Sequence, residues 1–433
     1  MMSMKVGLLG LGVVGGGTWN VLRRNAQEIA RRAGRQIEVV SVAVRDVAKA
    51  RARIGEDVCI TDDPYVLVND PNIDIVVELI GGTTTAKALV MSAIENGKHV
   101  VTANKALLAT HGTEIFEAAS AKGVMVAFEG AVAGGIPIIK AIREGLTANR
   151  IEWVAGIING TTNYILTEMR SRGLSFEQAL AQAQELGYAE ADPTADVQGI
   201  DAAQKLTLLA SMAFGIPVQL SRAYVEGITE ISAVDITQAE QLGYRIKLLG
   251  ITRRRAEGIE LRVHPTLVPV SSMLANVEDA MNAVLVSGDA VGQTLYYGKG
   301  AGEEPTASAV VADLVDVTRL HTADPGHRVP HLAFQPESMV DIPVLPIDDI
   351  YCAYYLRLSV KDQPGVLAEI AKELSNAGIS IGSMVQQPPD QGEASLTFLT
   401  HQALERNVNK AMLAIEALPF MRSKITRLRV EEF

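Results

Sequence analysis

Cysteine is scarce. Cys59 and Cys352 are the only two in 433 residues, and they lie far apart in the chain. That excludes a disulfide framework and any thiolate cluster of metal or redox spacing, and suits a reducing cytoplasm. Basic charge is also in deficit, with 39 Lys and Arg against 50 Asp and Glu and a formal net charge of −11. The basic clusters Arg31-Arg32 and Arg253-Arg254-Arg255 are short and distant from one another, so no nucleic acid and no anionic membrane is expected as a partner. No apolar run reaches the length of a membrane span. The chain passes almost at once into Lys5–Gly10, which reads as strand and turn rather than as a signal peptide. Internal repeats and low-complexity tracts are absent too. What is plentiful is apolar residues, 48% of the chain, enough to pack more than one core at this length.

The first third reads as alternating strand and helix. Val6–Leu9 is an apolar run ending in Gly10-Leu11-Gly12-Val13-Val14-Gly15, and Thr18–Arg32 has a helical pattern. In a strand–turn–helix of this kind the first glycine serves the tight turn, the second lets a pyrophosphate approach the backbone, and the third allows close helix packing. The next strand, Ile37–Val44, ends in Arg45 rather than in an acid. A guanidinium there suits the 2′-phosphate of NADP, which is favoured over NAD. Further strands at Ile73–Leu79 and His99–Thr102 alternate with helices, which makes a doubly wound parallel sheet whose ligands lie beyond the carboxyl ends of its strands. Thr83 and Lys105 stand at that edge. The stretch Phe128–Pro137 then sets Glu129 beside a glycine-rich, irregular backbone. Such a set can hold a hard monovalent cation, or the glutamate can close a hinge turn with no ion.

From Ile138 the pattern changes. Ile138–Gly145 reads as a helix, Ile151–Ile158 as a strand, and Asn159-Gly160-Thr161-Thr162 as the start of the helix Asn163–Arg172. Thr161 and Thr162 suit helix caps, and Thr161 also suits a substrate carboxylate. After the helix Phe176–Leu186 comes GYAEADPTADVQGIDAAQK, Gly187–Lys205. A turn through Asp192-Pro193 leads into a helix from Val197, on which Asp201 and Lys205 stand one turn apart on one face, with Glu190 and Asp196 on the approach. Taken alone, Asp201 and Lys205 are also what an ordinary surface pair looks like, worth about 0.2–0.5 kcal/mol.

Ala183–Lys205, with Gly187, Asp192-Pro193, Asp196, Gly199, Asp201 and Lys205 in place, resembles the signature of the homoserine dehydrogenase family. The turn Gly10–Gly15, Thr102–Lys105, Glu129–Pro137, Asn159–Leu166 and Gly298–Gly302 fit that family as well. The resemblance covers roughly the first three quarters of the chain, and so many fixed residue types at fixed spacing make it specific. It implies NAD(P)-dependent interconversion of L-homoserine and L-aspartate 4-semialdehyde, in threonine, methionine and isoleucine biosynthesis. It also implies Lys205 as proton donor, Asp201, Glu190 and Asp196 at the substrate, and Gly187, Glu190 and Gly302 near the cofactor. Lys105 would lie by both ligands. A sodium ion would be held by Glu129 with the backbone carbonyls of Val132, Gly134 and Ile136, and the subunits would form a homodimer or homotetramer. The chemistry agrees with the roles, because an ammonium can stabilise the alkoxide that forms at an aldehyde and give it a proton.

The expected division is a dinucleotide-binding domain over residues 1–136, a substrate and dimerisation domain with a mixed sheet over 137–305, and a linker over 321–350. A helix over 306–320 packs back on the first domain. Residues 351–433 repeat the order βαββαβ, a ferredoxin-like pattern, and their Asp362-Gln363-Pro364-Gly365 turn resembles that of an ACT regulatory domain. That resemblance implies a small amino-acid effector, with threonine the natural guess; a plain dimerisation module is the other reading. Two rival functions stay open. One is an amino-acid sensor without turnover, against which Glu190, Asp201 and Lys205 argue. The other is an oxidoreductase of a related aldehyde.

Overall fold

The computed structural model describes residues 3–387 and 393–433. Six parallel strands, β1 (Met4–Leu9), β2 (Ile37–Ala43), β3 (Cys59–Thr61), β4 (Ile75–Glu78), β5 (His99–Thr102) and β6 (Val126–Ala127), lie in the order β3-β2-β1-β4-β5-β6. The order reverses between β1 and β4, so the crevice for a ligand opens at their carboxyl ends. Both faces of this sheet are covered, which is why β1 and β4 read as nearly unbroken apolar runs. The helix Glu303–Leu320 supplies part of that cover, packing Val310, Leu314 and Val317 with Val6, Leu8 and Trp19.

The helix expected over Thr18–Arg32 starts earlier, at Val13, and divides at Asn25 into Val13–Arg24 and Ala26–Ala33. Ile138–Gly145 is an α turn, Ile138–Lys140, followed by a π turn, Ala141–Gly145. The helix expected from Val197 is likewise interrupted. Thr194–Val197 is a short helix, Gly199 takes a φ of +81°, and the long helix begins at Ile200 and runs to Phe214. Gly199 is needed because a side chain would meet Val225 and Val263 as well as the left-handed backbone.

The second sheet contains β7 (Ile151–Ile157), β8 (Tyr224–Val225), β9 (Tyr244–Arg254), β10 (Ile259–Pro269), β11 (Met281–Gly288) and β12 (Gly292–Lys299). It continues through β13 (Tyr351–Lys361), β14 (Ile381–Gln386), β15 (Glu393–Thr400), β16 (Ala403–Leu404) and β17 (Thr426–Val430). Its main path is β12-β11-β7-β9-β10-β17-β13-β15-β14, with β8 and β16 attached at β10 and β13. The C-terminal segment therefore keeps the βαββαβ order, with helices Val366–Asn376 and Glu405–Glu416. It is not a detached module, however: β17 pairs in parallel with β10 through Thr266 with Arg429 and Leu267 with Val430. The turn expected over Pro388–Glu393 lies, as far as Gly392, outside the described residues.

Buried ion pairs fasten this seam. Arg262, 1% exposed, meets Glu260 and Glu431, and Arg429 meets Glu405 and Glu226. Arg357 of β13 reaches the buried Asp235 of the helix Ala233–Gln241 at 2.6 Å. The segment before β13 is docked rather than free. His331 stacks on Phe116 with ring centroids 5.6 Å apart, and Val344 bridges to Ile259.

Candidate active site

The glycine turn has the geometry its residues predict. Gly10 has φ +98°, Gly12 has open space where a side chain would stand, and a Cβ on Gly15 would overlap the Gly10 carbonyl. Two more glycines follow with contacts of their own. A side chain at Gly16 would overlap the Arg53 guanidinium, and one at Gly17 would strike the Glu303 backbone. Leu11, Val13 and Val14 complete the turn and the first residues of the helix, whose start carries no side-chain cap.

A cleft of about 710 Å³ opens there, lined by Gly10, Gly12, Arg45, Lys49, Arg53 and Gly81 among others. Arg45 is exposed at the end of β2. The neighbouring Asp46, also at the cleft, accepts the Lys49 amide at 2.9 Å as a helix cap. Arg53, which sequence reading missed, lies over the turn, 2.9 Å from Glu303. Thr83 is at the start of the helix Thr84–Glu95, its hydroxyl making no capping bond. Buried Glu78 shapes this edge by accepting the Ile80 and Gly81 amides and the Thr102 hydroxyl.

On the facing side, Lys205 is 8% exposed. Its Nζ donates to Asp201 Oδ2 at 2.6 Å and to the Ile158 carbonyl at 2.8 Å. Lys105, from the first domain, approaches the other oxygen of Asp201 at 3.2 Å. One carboxylate thus holds two ammonium groups from two parts of the chain. Burial would raise the Asp201 pKa, but Lys205 and Lys105 together bring it down to about 2. The Lys205 pKa is lowered: burial is the largest influence and outweighs the opposing pull of Asp201.

Asn159 ties the acids together. Its Nδ2 donates to Asp196 at 2.6 Å and to Asp201 at 2.8 Å, while its Oδ1 accepts the Thr162 amide. Asn159 is therefore the helix cap expected of Thr161 and Thr162, and that helix begins at Gly160. Thr161 donates its hydroxyl to the Tyr188 carbonyl at 2.7 Å and so tethers the loop carrying Gly187 and Glu190. Gly187 has φ +74°. Glu190 is exposed, and its carboxylate has no ion pair among the described residues. Burial raises the Asp196 pKa against the Asn159 hydrogen bond.

Glu129 is 1% exposed and accepts the Ile139 and Lys140 amides at 2.9 Å each. Its side chain is therefore occupied by the start of the next helix rather than open to a cation, and burial raises its pKa. The Val132 and Gly134 carbonyl oxygens accept no hydrogen bond among the described residues, whereas that of Ile136 receives the Ile138 amide at 2.8 Å. Carbonyl oxygens of this kind fit a sodium ion. A side chain on Gly134 would strike Gly300, so this stretch packs against the loop that ends in Gly302, where φ is +131°.

Residues 10–129 match the family of homoserine dehydrogenase NAD binding domains, residues 137–315 the homoserine dehydrogenase family, and residues 354–420 the ACT domain. A homoserine dehydrogenase of Pseudomonas aeruginosa is 59% identical, with 100% of both chains covered. One from Neisseria gonorrhoeae is 54% identical, over 100% of this chain and 99% of its own. The crystal structure of a homoserine dehydrogenase from Thiobacillus denitrificans superposes with a TM-score of 0.96 at 64% identity, over 100% of this chain and 99% of that one. A hyperthermophilic archaeal homoserine dehydrogenase mutant in complex with NADPH shares the fold at 24% identity and a TM-score of 0.63, over 75% of this chain and 99% of its own.

Proposed function

The chain belongs to the homoserine dehydrogenase family, and on that premise we propose how its residues divide the work of interconverting L-homoserine and L-aspartate 4-semialdehyde. The observation that carries this reading is the buried Lys205 ammonium, fixed between Asp201 and the Ile158 carbonyl. The bound nicotinamide supplies or accepts the hydride. Lys205 stabilises the charge that grows on the substrate oxygen and gives it a proton, or takes one in the other direction. Asp201 positions Lys205 and brings Lys105 to the same place from the nucleotide domain. Asn159 keeps Asp196 and Asp201 in register, and Thr161 holds the loop from which Glu190 meets the substrate ammonium.

Gly10–Gly15 would hold the dinucleotide, and Gly187 and Gly302 would contact it from the facing side. NADP is preferred: Arg45 is exposed in the cleft, Lys49 and Arg53 add positive charge, and Asp46 caps a helix. The free carbonyls of Val132 and Gly134, with those of Glu129 and Ile136 beside them, would hold a sodium ion, and the Glu129 side chain braces this backbone through the Ile139 and Lys140 amides. The C-terminal segment binds an amino-acid effector, and the enzyme works in the cytoplasm as a homodimer or homotetramer in the synthesis of threonine, methionine and isoleucine.

Nicotinamide absorbance with homoserine and each cofactor tests the preference. NADP should give the higher kcat/KM, and Arg45→Ala should raise the KM for NADP about tenfold, the equivalent of one charge-assisted contact, while leaving that for NAD nearly unchanged. Equal loss with both cofactors would remove Arg45 from any role at the 2′-phosphate.

A further inference from the structure

The carboxylate of Glu78 is buried without a counter-ion. It closes β4 at 0% exposure, on the carboxyl edge where the dinucleotide crevice opens, and makes no ion pair among the described residues. Taking such a group out of water is costly unless donors replace the water. Four do so here. Oε1 accepts the Ile80 and Gly81 amides at 3.0 and 3.1 Å and lies 3.5 Å from Asn104 Nδ2, while Oε2 accepts the Thr102 hydroxyl at 2.7 Å.

These donors come from two segments that serve the site in different ways. Ile80 and Gly81 belong to the loop 79–83, whose Leu79, Ile80 and Gly81 line the large cleft and whose Gly81 and Gly82 both take a φ of +73°. Thr102 and Asn104 lead into the helix Lys105–Lys122. Thr102 stands opposite Glu78 across β4 and β5, and its hydroxyl oxygen accepts the Asn104 amide at 3.0 Å. Asn104 caps the helix by accepting the Leu107 amide at 3.0 Å, and its Nδ2 returns to the loop, donating to the Gly82 carbonyl at 2.7 Å. The ring is thus closed through Glu78, the loop, Asn104 and Thr102. Lys105 follows directly, its ammonium 3.2 Å from Asp201.

The direction of each bond explains the residue types. Every polar group that meets Glu78 is a donor, so two acceptor oxygens fit, whereas the amide of a glutamine would set its own N–H groups against one of them. Asn104 must donate to Gly82 and accept from Leu107 at once, which an amide can do and a carboxylate cannot. We infer that Glu78 is a positioning residue for the reaction: it locks the cleft-lining loop to the start of the Lys105 helix, so that the bound dinucleotide and the Lys105 ammonium arrive together at Asp201. It acts through Gly81 on one side and through Asn104 on the other. This role rests on the reading of Lys105 as the residue beside both ligands.

Steady-state kinetics of Glu78→Gln, with thermal unfolding measured alongside, tests it. The variant keeps the shape of the side chain; its kcat should fall about tenfold or more and its KM for the dinucleotide should rise by a similar factor, the size of one charge-assisted hydrogen bond. In a Lys105→Met background the same substitution should cost far less in kcat, because the residue through which it acts is gone. Asn104→Ser keeps a helix cap but cannot span Gly82 and Glu78, and it should reproduce the loss in kcat even where Glu78→Gln fails to fold. A lowered melting temperature with kcat and KM unchanged would reduce Glu78 to a brace at the end of a strand. Equal losses in kcat with and without Lys105 would overturn its action on that residue. Full turnover by Lys105→Met alone would overturn the reading of Lys105 and this role with it, whereas normal kinetics of Glu78→Gln beside a slow Lys105→Met would overturn the role alone.

Discussion

Asp201 is the residue on which the two halves of the site meet, with Lys205 on one oxygen and Lys105 on the other. The spacing of Asp201 and Lys205 made their pairing legible, because one helical turn fixes which side chains can touch. Lys105 could be placed at the strand edge but not against Asp201, since nothing local in sequence links residues so far apart. Asn159 was hidden for the same reason: its partners Asp196 and Asp201 lie well downstream. The sign of the Lys205 shift was not legible either, as it depends on how deeply the ammonium is buried. Asn159→Ala should lower stability by about 1 kcal/mol through the lost cap. Turnover should fall further than cap loss explains, because the buried Asp201 and the half-buried Asp196 lose their shared donor. Thermal unfolding and steady-state rates together check this, and a variant with lowered stability and unchanged turnover would reduce Asn159 to a cap.

At the scale of elements, the run Gly15-Gly16-Gly17 opens the helix Val13–Arg24 to three different neighbours: the Gly10 carbonyl, the Arg53 guanidinium and the start of the helix Glu303–Leu320. The first of these could be read from the motif, and the other two depend on elements that arrive later in the chain. Gly16→Ala would push aside only the end of a flexible side chain, so the fold should survive. Arg53 would then leave its place over the turn, and the KM for the dinucleotide should rise about tenfold, as for the loss of one charge-assisted bond. An unchanged KM would mean that Arg53 does nothing for the cofactor. The helix breaks at Asn25 and Gly199 show the limit of pattern reading, because apolar periodicity runs through an interruption that only backbone geometry reveals.

For the whole molecule, alternation of strand and helix announced the doubly wound sheet, and the βαββαβ order announced the C-terminal segment. Their fusion through β10 and β17 was not announced, because strand pairing between distant segments leaves no local trace. It makes the C-terminal segment part of the scaffold. A chain ending at Asp349 would bare the edge of β10 and leave Arg262 without Glu431. Such a chain should aggregate or elute as a broad, misfolded species on size-exclusion chromatography. A sharp, fully active peak from that truncation would contradict the continuous sheet.

The central claim is that the Lys205 amine moves the proton. Its lowered pKa gives the sign: oxidation of homoserine needs the neutral amine and should rise with pH through a transition below the usual lysine value of about 10.4, and reduction of the aldehyde should fall through the same transition. The most direct measurement is turnover against pH for the intact enzyme and for Lys205→Ala, with cofactor affinity measured alongside. The account predicts that the variant loses about 10²–10⁴ in kcat together with that transition while still binding the dinucleotide. Oxidation of homoserine at full speed by Lys205→Ala, with the same pH profile, would contradict it.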